Sequence, residues 1–277
     1  MPFNLGFIGG GNMSTAIFKG ILSKEAHPVN NIWVSGPHVE NLEHWKDLGA
    51  NVTCQNGDVY YKCDIIFLGV KPGMLEAAVN DCLKTTVTAP VKKNTLFVSM
   101  LAGISIQNLH EVLHNTLSRT ISVIRIMPNT PLMVGAGACL LTPDPTVSKE
   151  QCALVEKLLN SCGVVERVPE SMMGSLGSLV GCGPAYMYLV IEALADGAVK
   201  QGAPRAQAQR LAAQMVMGSG LMVLKSGKHP GLLKDEVCSP GGSTIAGVAI
   251  LEDNKIRSAF INAIEASTIK TSQLGKK

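Results

Sequence analysis

Aromatic residues are scarce in this chain: 4% of 277 positions, with two Trp, four Tyr and six Phe. The core must therefore be assembled mainly from Ala, Val, Ile, Leu and Met, within an apolar share of 46%. Charge of one sign is also lacking, since the net charge is only +3. So even a balance argues against nucleic acid or an anionic membrane surface as a partner. The eight cysteines (Cys54, Cys63, Cys82, Cys139, Cys152, Cys162, Cys182, Cys238) contain no C-x-x-C pair, and no His stands at metal-ligand spacing from them. No metal site is expected. They read as reduced, mostly buried thiols, which makes the expected location cytoplasmic, with a mitochondrial association also compatible. No basic segment precedes the first apolar run, and a strand starting near residue 4 leaves no room for a removable leader. No apolar run is expected to span a bilayer: the best, near 176–199, carries Glu192 and Asp196.

Glycine is plentiful, with 28 residues. Leu5 to Ile8 is a short apolar run, Gly9-Gly10-Gly11 follows, and Met13, Ala16, Ile17 and Gly20 then recur at helical spacing. Strand, glycine turn and helix in this order form a place for a dinucleotide pyrophosphate on the N–H groups of a helix start. Gly9 permits the tight turn and Gly11 the close backbone approach. The third position of G-x-G-x-x-G falls on Ser14, which is still small enough for close packing.

Down to residue 168, apolar strands alternate with helical segments. Asn31–Ser35 reads as the second strand and ends at Gly36-Pro37. No Asp or Glu stands there to bind a ribose 2′-hydroxyl, so NADPH is admissible; no Arg stands there either, so NADH remains open. Asp64 to Val70 is the nearly unbroken apolar run of a strand buried on both faces, and Lys71-Pro72 lies at its carboxyl edge, where open sheets bind ligands. Further strands are expected at 52–54, 94–100, 120–127, 135–141 and 164–168, and Ser105 and Ser148 are expected to cap helices. Together these predict a parallel, doubly wound sheet.

From Ser171 the strand pattern stops. Long helices rich in Ala, Gly, Met and Leu are expected over 171–200, broken at Gly181–Pro184, then from Pro204 to about Lys225, after Thr244, and over 255–274. Their apolar faces exceed what about 110 residues can cover, so they are expected to pack on a second copy. Ser239-Pro240-Gly241-Gly242-Ser243-Thr244 is a donor-rich turn entering a helix and suits a carboxylate, although a simple cap would look the same.

The chain resembles the pyrroline-5-carboxylate reductase family. The likeness is carried by Gly6–Met13, Val70-Lys71-Pro72, Met127–Pro131, Gly183–Tyr186, Ala193–Gly197, His229-Pro230-Gly231 and, most specifically, Leu233 to Thr244. The resemblance implies an α/β fold: a Rossmann-type doubly wound sheet over residues 1–168, followed by an all-α substrate-binding and dimerisation domain over 169–277. It implies reduction of L-1-pyrroline-5-carboxylate to L-proline by NADPH or NADH, in a homodimer assembled further, often into a decamer. Gly6, Phe7, Ile8, Gly9, Gly10, Gly11, Asn12 and Met13 would hold the pyrophosphate. Ser35, Gly36 and Asn56 would lie near the adenosine, Val70, Lys71 and Pro72 at the cofactor edge, and Leu101, Ala102 and Asn129 near the nicotinamide. Ser239, Gly241, Gly242, Ser243 and Thr244 would hold the substrate carboxylate, with Thr244 also beside the ring nitrogen and Glu170 near the substrate. Cys238 departs from a common serine, and Ser35-Gly36 from a serine-rich strand end.

Two rivals share part of this pattern. A β-hydroxyacid dehydrogenase needs a lysine on the interdomain helix, and the helix near 171 has none before Lys200. A silent nucleotide sensor would keep Gly9–Gly11 but has no use for the Ser239–Thr244 turn.

Overall fold

The computed structural model describes residues 3–85, 94–117 and 120–274. Residues up to Gly181, with those from Ser267 onward, form one compact unit, and Cys182–Ala266 form another.

The first unit is built on β1 (Leu5–Ile8), β2 (Ile32–Ser35), β3 (Asn51–Thr53), β4 (Ile65–Leu68), β5 (Asn94–Ser99), β6 (Thr120–Pro128), β7 (Gly137–Pro143) and β8 (Gly163–Arg167). They form one sheet in the order β3-β2-β1-β4-β5-β6-β7-β8. The helices are α1 (Asn12–Ser23), α2 (Glu43–Asp47), α3 (Asn56–Lys62), α4 (Leu75–Asp81), α5 (Ile106–Leu117) and α6 (Lys149–Leu159). The chain runs outward from β1 in one direction to β3 and in the other from β4, so β1 and β4 flank the topological switch point where such sheets bind ligands.

Side-chain alternation sends each strand into two cores. Leu5, Phe7, Phe67, Val98 and Ile124 pack with α1, Trp45 and α6 on one face. Ile8, Ile66, Leu68, Phe97 and Val123 pack with residues of α3, α4 and α5 on the other. Strands buried on both faces are apolar throughout, which is why β1 and β4 are the plainest in the sequence. Both expected serine caps form: Ser105 Oγ accepts from Asn108 N at 3.1 Å, and Ser148 builds a reciprocal capping box with Gln151.

The all-parallel expectation needs correction at one pair, because β6 and β7 are antiparallel. The residues between them form only a short 3₁₀ turn, Thr130–Val134, ending at Gly135 with φ +71°. A parallel return would need a crossover of about a dozen residues. The α6 crossover then makes β8 parallel to β7.

Beyond the sheet lie α7 (Ser175–Lys200), α8 (Arg205–Ser226), α9 (Pro230–Val237), α10 (Ser243–Asp253) and α11 (Ile256–Leu274). Helix α7 begins in the first unit and α11 ends in it. The expected break at Gly181–Pro184 is absent: α7 continues through Pro184, losing the one hydrogen bond its missing N–H would make. Pro204 is the N-cap of α8 rather than part of its first turn. Helix α9 has no counterpart in the sequence reading; its eight residues give too short a periodicity, although His229 caps it through Nδ1 and Pro230 opens it.

Within the second unit, Ala195, Ala208 and Ala212 bring α7 and α8 into close packing. Tyr186 Oη donates to the Ala263 carbonyl at 3.3 Å, tying α7 to α11. Large apolar side chains nevertheless stand exposed, among them Leu189, Leu211, Leu224, Ile250 and Ile261. Residues Glu170–Lys200 are long and apolar enough to cross a membrane by length and composition, contrary to the sequence expectation, and little of that surface is buried within the chain.

Candidate cofactor and substrate sites

The glycine turn is fixed from below and open above. Gly9 has φ +96°, and an added Cβ would lie 2.8 Å from the Gly69 carbonyl oxygen. Gly10 is sealed by Leu42, whose Cδ2 would be 2.2 Å from a Cβ. Around Gly11 an added Cβ would meet nothing within 4 Å. Gly11 caps α1 without a side-chain partner, so the first N–H groups of the helix, on Asn12, Met13 and Ser14, stay available to a ligand. An open backbone cradle at a helix start matches a pyrophosphate in shape and charge. Ser14 is buried, and its hydroxyl donates to the Gly9 carbonyl at 2.5 Å, so the residue that departs from the glycine pattern fastens the turn. Gly6, Phe7 and Ile8 are buried strand residues beneath this turn; an added Cβ on Gly6 would strike Val59 of α3.

At the end of β2, Ser35 is fully buried. Its hydroxyl donates to Asn56 Oδ1 at 2.8 Å, while Asn56 Nδ2 donates to the Ala78 carbonyl at 3.1 Å and its N–H to Asp81 Oδ2 at 3.2 Å. Ser35 and Asn56 are thus joined as one network behind buried Gly36. Along the same sheet edge, Val70 is half-buried and Lys71 exposed, with Pro72 opening a 3₁₀ turn. Leu101 is buried, its N–H donating to Ser99 Oγ at 3.3 Å, and Ala102 beside it is half-buried. Asn129 is buried and accepts from Ala138 N through Oδ1 at 2.9 Å.

Glu170 opens a 3₁₀ turn just beyond β8. Its Oε1 accepts from Ile106 N, the first residue of α5, at 2.7 Å and from Arg125 Nη1 at 3.2 Å. Arg125 lies within β6 and is buried. Sequence reasoning missed it, since nothing local marks an arginine in an apolar strand as different from a solvated one.

In the second unit, Ser239 to Thr244 form a turn ahead of α10. Gly241 has φ +66°, and Gly242 N donates to the Ser239 carbonyl at 3.0 Å. Gly242 caps α10 with no side-chain hydrogen bond, which leaves the N–H groups of Ser243, Thr244 and Ile245 free of intrahelical partners. Ser239, Ser243 and Thr244 are all exposed. Hydroxyls and helix-start N–H groups on one short turn can accept a carboxylate.

Comparison with known proteins places the chain in a family. Residues 170–274 match the family profile "Pyrroline-5-carboxylate reductase dimerisation", and residues 4–103 match "NADP oxidoreductase coenzyme F420-dependent". The chain is 39% identical over 277 residues to the pyrroline-5-carboxylate reductase of Escherichia coli, covering 100% of each chain. The chain belongs to the pyrroline-5-carboxylate reductase family. It is 41% identical to pyrroline-5-carboxylate reductase 3 of Danio rerio over 99% of this chain and 92% of that one. The crystal structure of Plasmodium falciparum pyrroline carboxylate reductase with NADP bound superposes with a TM-score of 0.85 at 32% identity, covering 99% of this chain and 98% of that one.

All eight cysteines are free, and burial pushes the Cys82 and Cys139 thiols up to about 12, which makes them inert. An open groove of ≈ 820 Å³ between α7 and α8 is lined by Tyr188, Leu189 and the Asp196–Arg205 ion pair. Asp196, one turn from Glu192, is therefore half of a surface pair. Among the described residues no cluster of His, Cys, Asp and Glu is set to hold a metal.

Proposed function

We propose that this chain reduces L-1-pyrroline-5-carboxylate to L-proline with NADPH. The observation that carries the reading is identity at 39% over the full length of a pyrroline-5-carboxylate reductase. Bound NADPH would supply the hydride. The open turn at Gly9–Gly11 and the start of α1 would bind the pyrophosphate. Lys71 and Pro72 would edge the cofactor, and Asn129 with the Leu101-Ala102 turn would border the nicotinamide. The strand end at Ser35–Gly36 offers no carboxylate to repel a 2′-phosphate, which supports NADPH, with NADH as the alternative donor.

A protonated imine is already an electrophile, so the chain needs to orient the ring rather than supply a strong acid. The turn Ser239–Thr244 would hold the substrate carboxylate on backbone N–H groups and hydroxyls. Thr244 would stand at the ring nitrogen and keep its proton directed, and Glu170 would contact the substrate from its own position. The reading includes a homodimer through the C-terminal helices, assembled further to a decamer, which the exposed apolar helix faces support. Eight free thiols support a cytoplasmic location.

The test is oxidation of NADPH, and separately NADH, by purified protein with and without pyrroline-5-carboxylate. Imine-dependent oxidation, with a higher kcat/KM for NADPH, is expected. Cofactor binding without imine-dependent turnover would replace the reductase by a nucleotide sensor.

A further inference from the structure

We propose that Arg125 is a positioning residue for the reductase reaction: it fixes Glu170 so that one carboxylate oxygen is anchored and the other is left for substrate. This rests on the reading that Glu170 lies against the substrate, and it adds what holds Glu170 there.

Arg125 sits in the middle of a sheet, paired with Ser99 on one side and Thr142 on the other. It is 7% exposed. Removing a guanidinium from water is unfavourable unless its donors are matched. Here they are matched poorly, because Nε is buried with no partner among the described residues. A fork that gripped both carboxylate oxygens would leave neither for substrate. Arg125 instead reaches Glu170 through Nη1 at Oε1, the same oxygen that accepts from Ile106 N. Oε1 is thus held from two directions, by a guanidinium and by the positive end of α5. Among the described residues Oε2 accepts no hydrogen bond. The Glu170 side chain keeps 37% of its surface exposed, so the carboxylate remains reachable from outside. A buried cation, one anchored oxygen and one spare oxygen make a mounted carboxylate, suited to the positive charge of a small cationic ring.

The experiment compares Arg125→Met, Arg125→Lys, Glu170→Gln and the double variant Arg125→Met/Glu170→Gln. It records KM for pyrroline-5-carboxylate, kcat, the Kd of NADPH and Tm. Glu170→Gln and Arg125→Met are each expected to raise KM about tenfold, the scale of a lost charged hydrogen bond. The double variant is expected to be no worse than either single one, because holder and held group act as a unit. Arg125→Lys is expected to recover part of the loss, a point charge replacing the fork. The Kd of NADPH stays within about twofold throughout, which a general loosening of the sheet would not allow. Wild-type KM in Arg125→Met beside a raised KM in Glu170→Gln overturns the role of Arg125 and leaves that of Glu170. Wild-type KM in Glu170→Gln overturns the reading of Glu170 itself. Multiplying effects in the double variant overturn the coupling. If Arg125→Met does not fold, Arg125→Gln takes its place, and a wild-type KM in that variant overturns the proposal.

Discussion

Gly9 and Gly11 stand two residues apart and do different things. Gly9 is required by its backbone, with φ +96° and the Gly69 carbonyl where a Cβ would stand. Gly9→Ala is expected to destabilise the fold by about 1–3 kcal/mol, the usual cost of a side chain held in such a conformation. Gly11 has an ordinary φ of −71° and open space around it. Gly11→Ala is expected to change stability by less than about 1 kcal/mol, while weakening NADPH binding about tenfold by filling the place of close approach. Thermal melts and fluorescence titration with NADPH separate the two; loss of stability without loss of affinity in Gly11→Ala removes the pyrophosphate from this turn. The glycine spacing was legible because it is local. Ser14 was legible only as a departure. That its hydroxyl fastens Gly9 depends on the turn bringing position 14 back over position 9, which no spacing rule states. Arg125 and Glu170 are 45 residues apart and meet only through the sheet.

Helix α10 has no side chain satisfying its first turn, so its N-terminus and the preceding turn act together. Thr244 is exposed in that first turn. Thr244→Ala should therefore leave the helix standing, lower kcat at least about tenfold through the lost hydroxyl contact, and leave NADPH affinity unchanged. Steady-state kinetics with the imine check this, and unchanged kcat takes Thr244 out of the mechanism. At this scale the sequence was most informative where an element is buried on both faces or opened by a clear cap, as with β1, β4, α5 and α6. It failed where connection length decides the outcome, as in the reversal at β7. It failed again at Pro184, because a proline preceded by glycines reads as a break, whereas α7 bears the loss of one bond within a long run of intact ones.

At the scale of the chain, the second unit leaves apolar helix surface uncovered. Leu211 and Leu224 of α8 are 69% and 79% exposed. Exposed apolar patches of this kind suit contact with another protein, a membrane or a ligand, and the match of this region to a dimerisation profile favours a second chain. Size-exclusion chromatography with light scattering is expected to give a multiple of the 29.3 kDa chain mass. Leu211→Glu combined with Leu224→Glu is expected to shift the population towards single chains; an unchanged mass would place the interface elsewhere. The last helix carries one more consequence. The residues from Ser267 belong to the same compact unit as the sheet, although more than eighty residues of the other unit are translated before them. Vectorial synthesis therefore delivers the sheet long before the segment that completes its unit. The sheet, whose two cores are closed by α1 to α6, can therefore fold before the last turns of the chain arrive to join its unit.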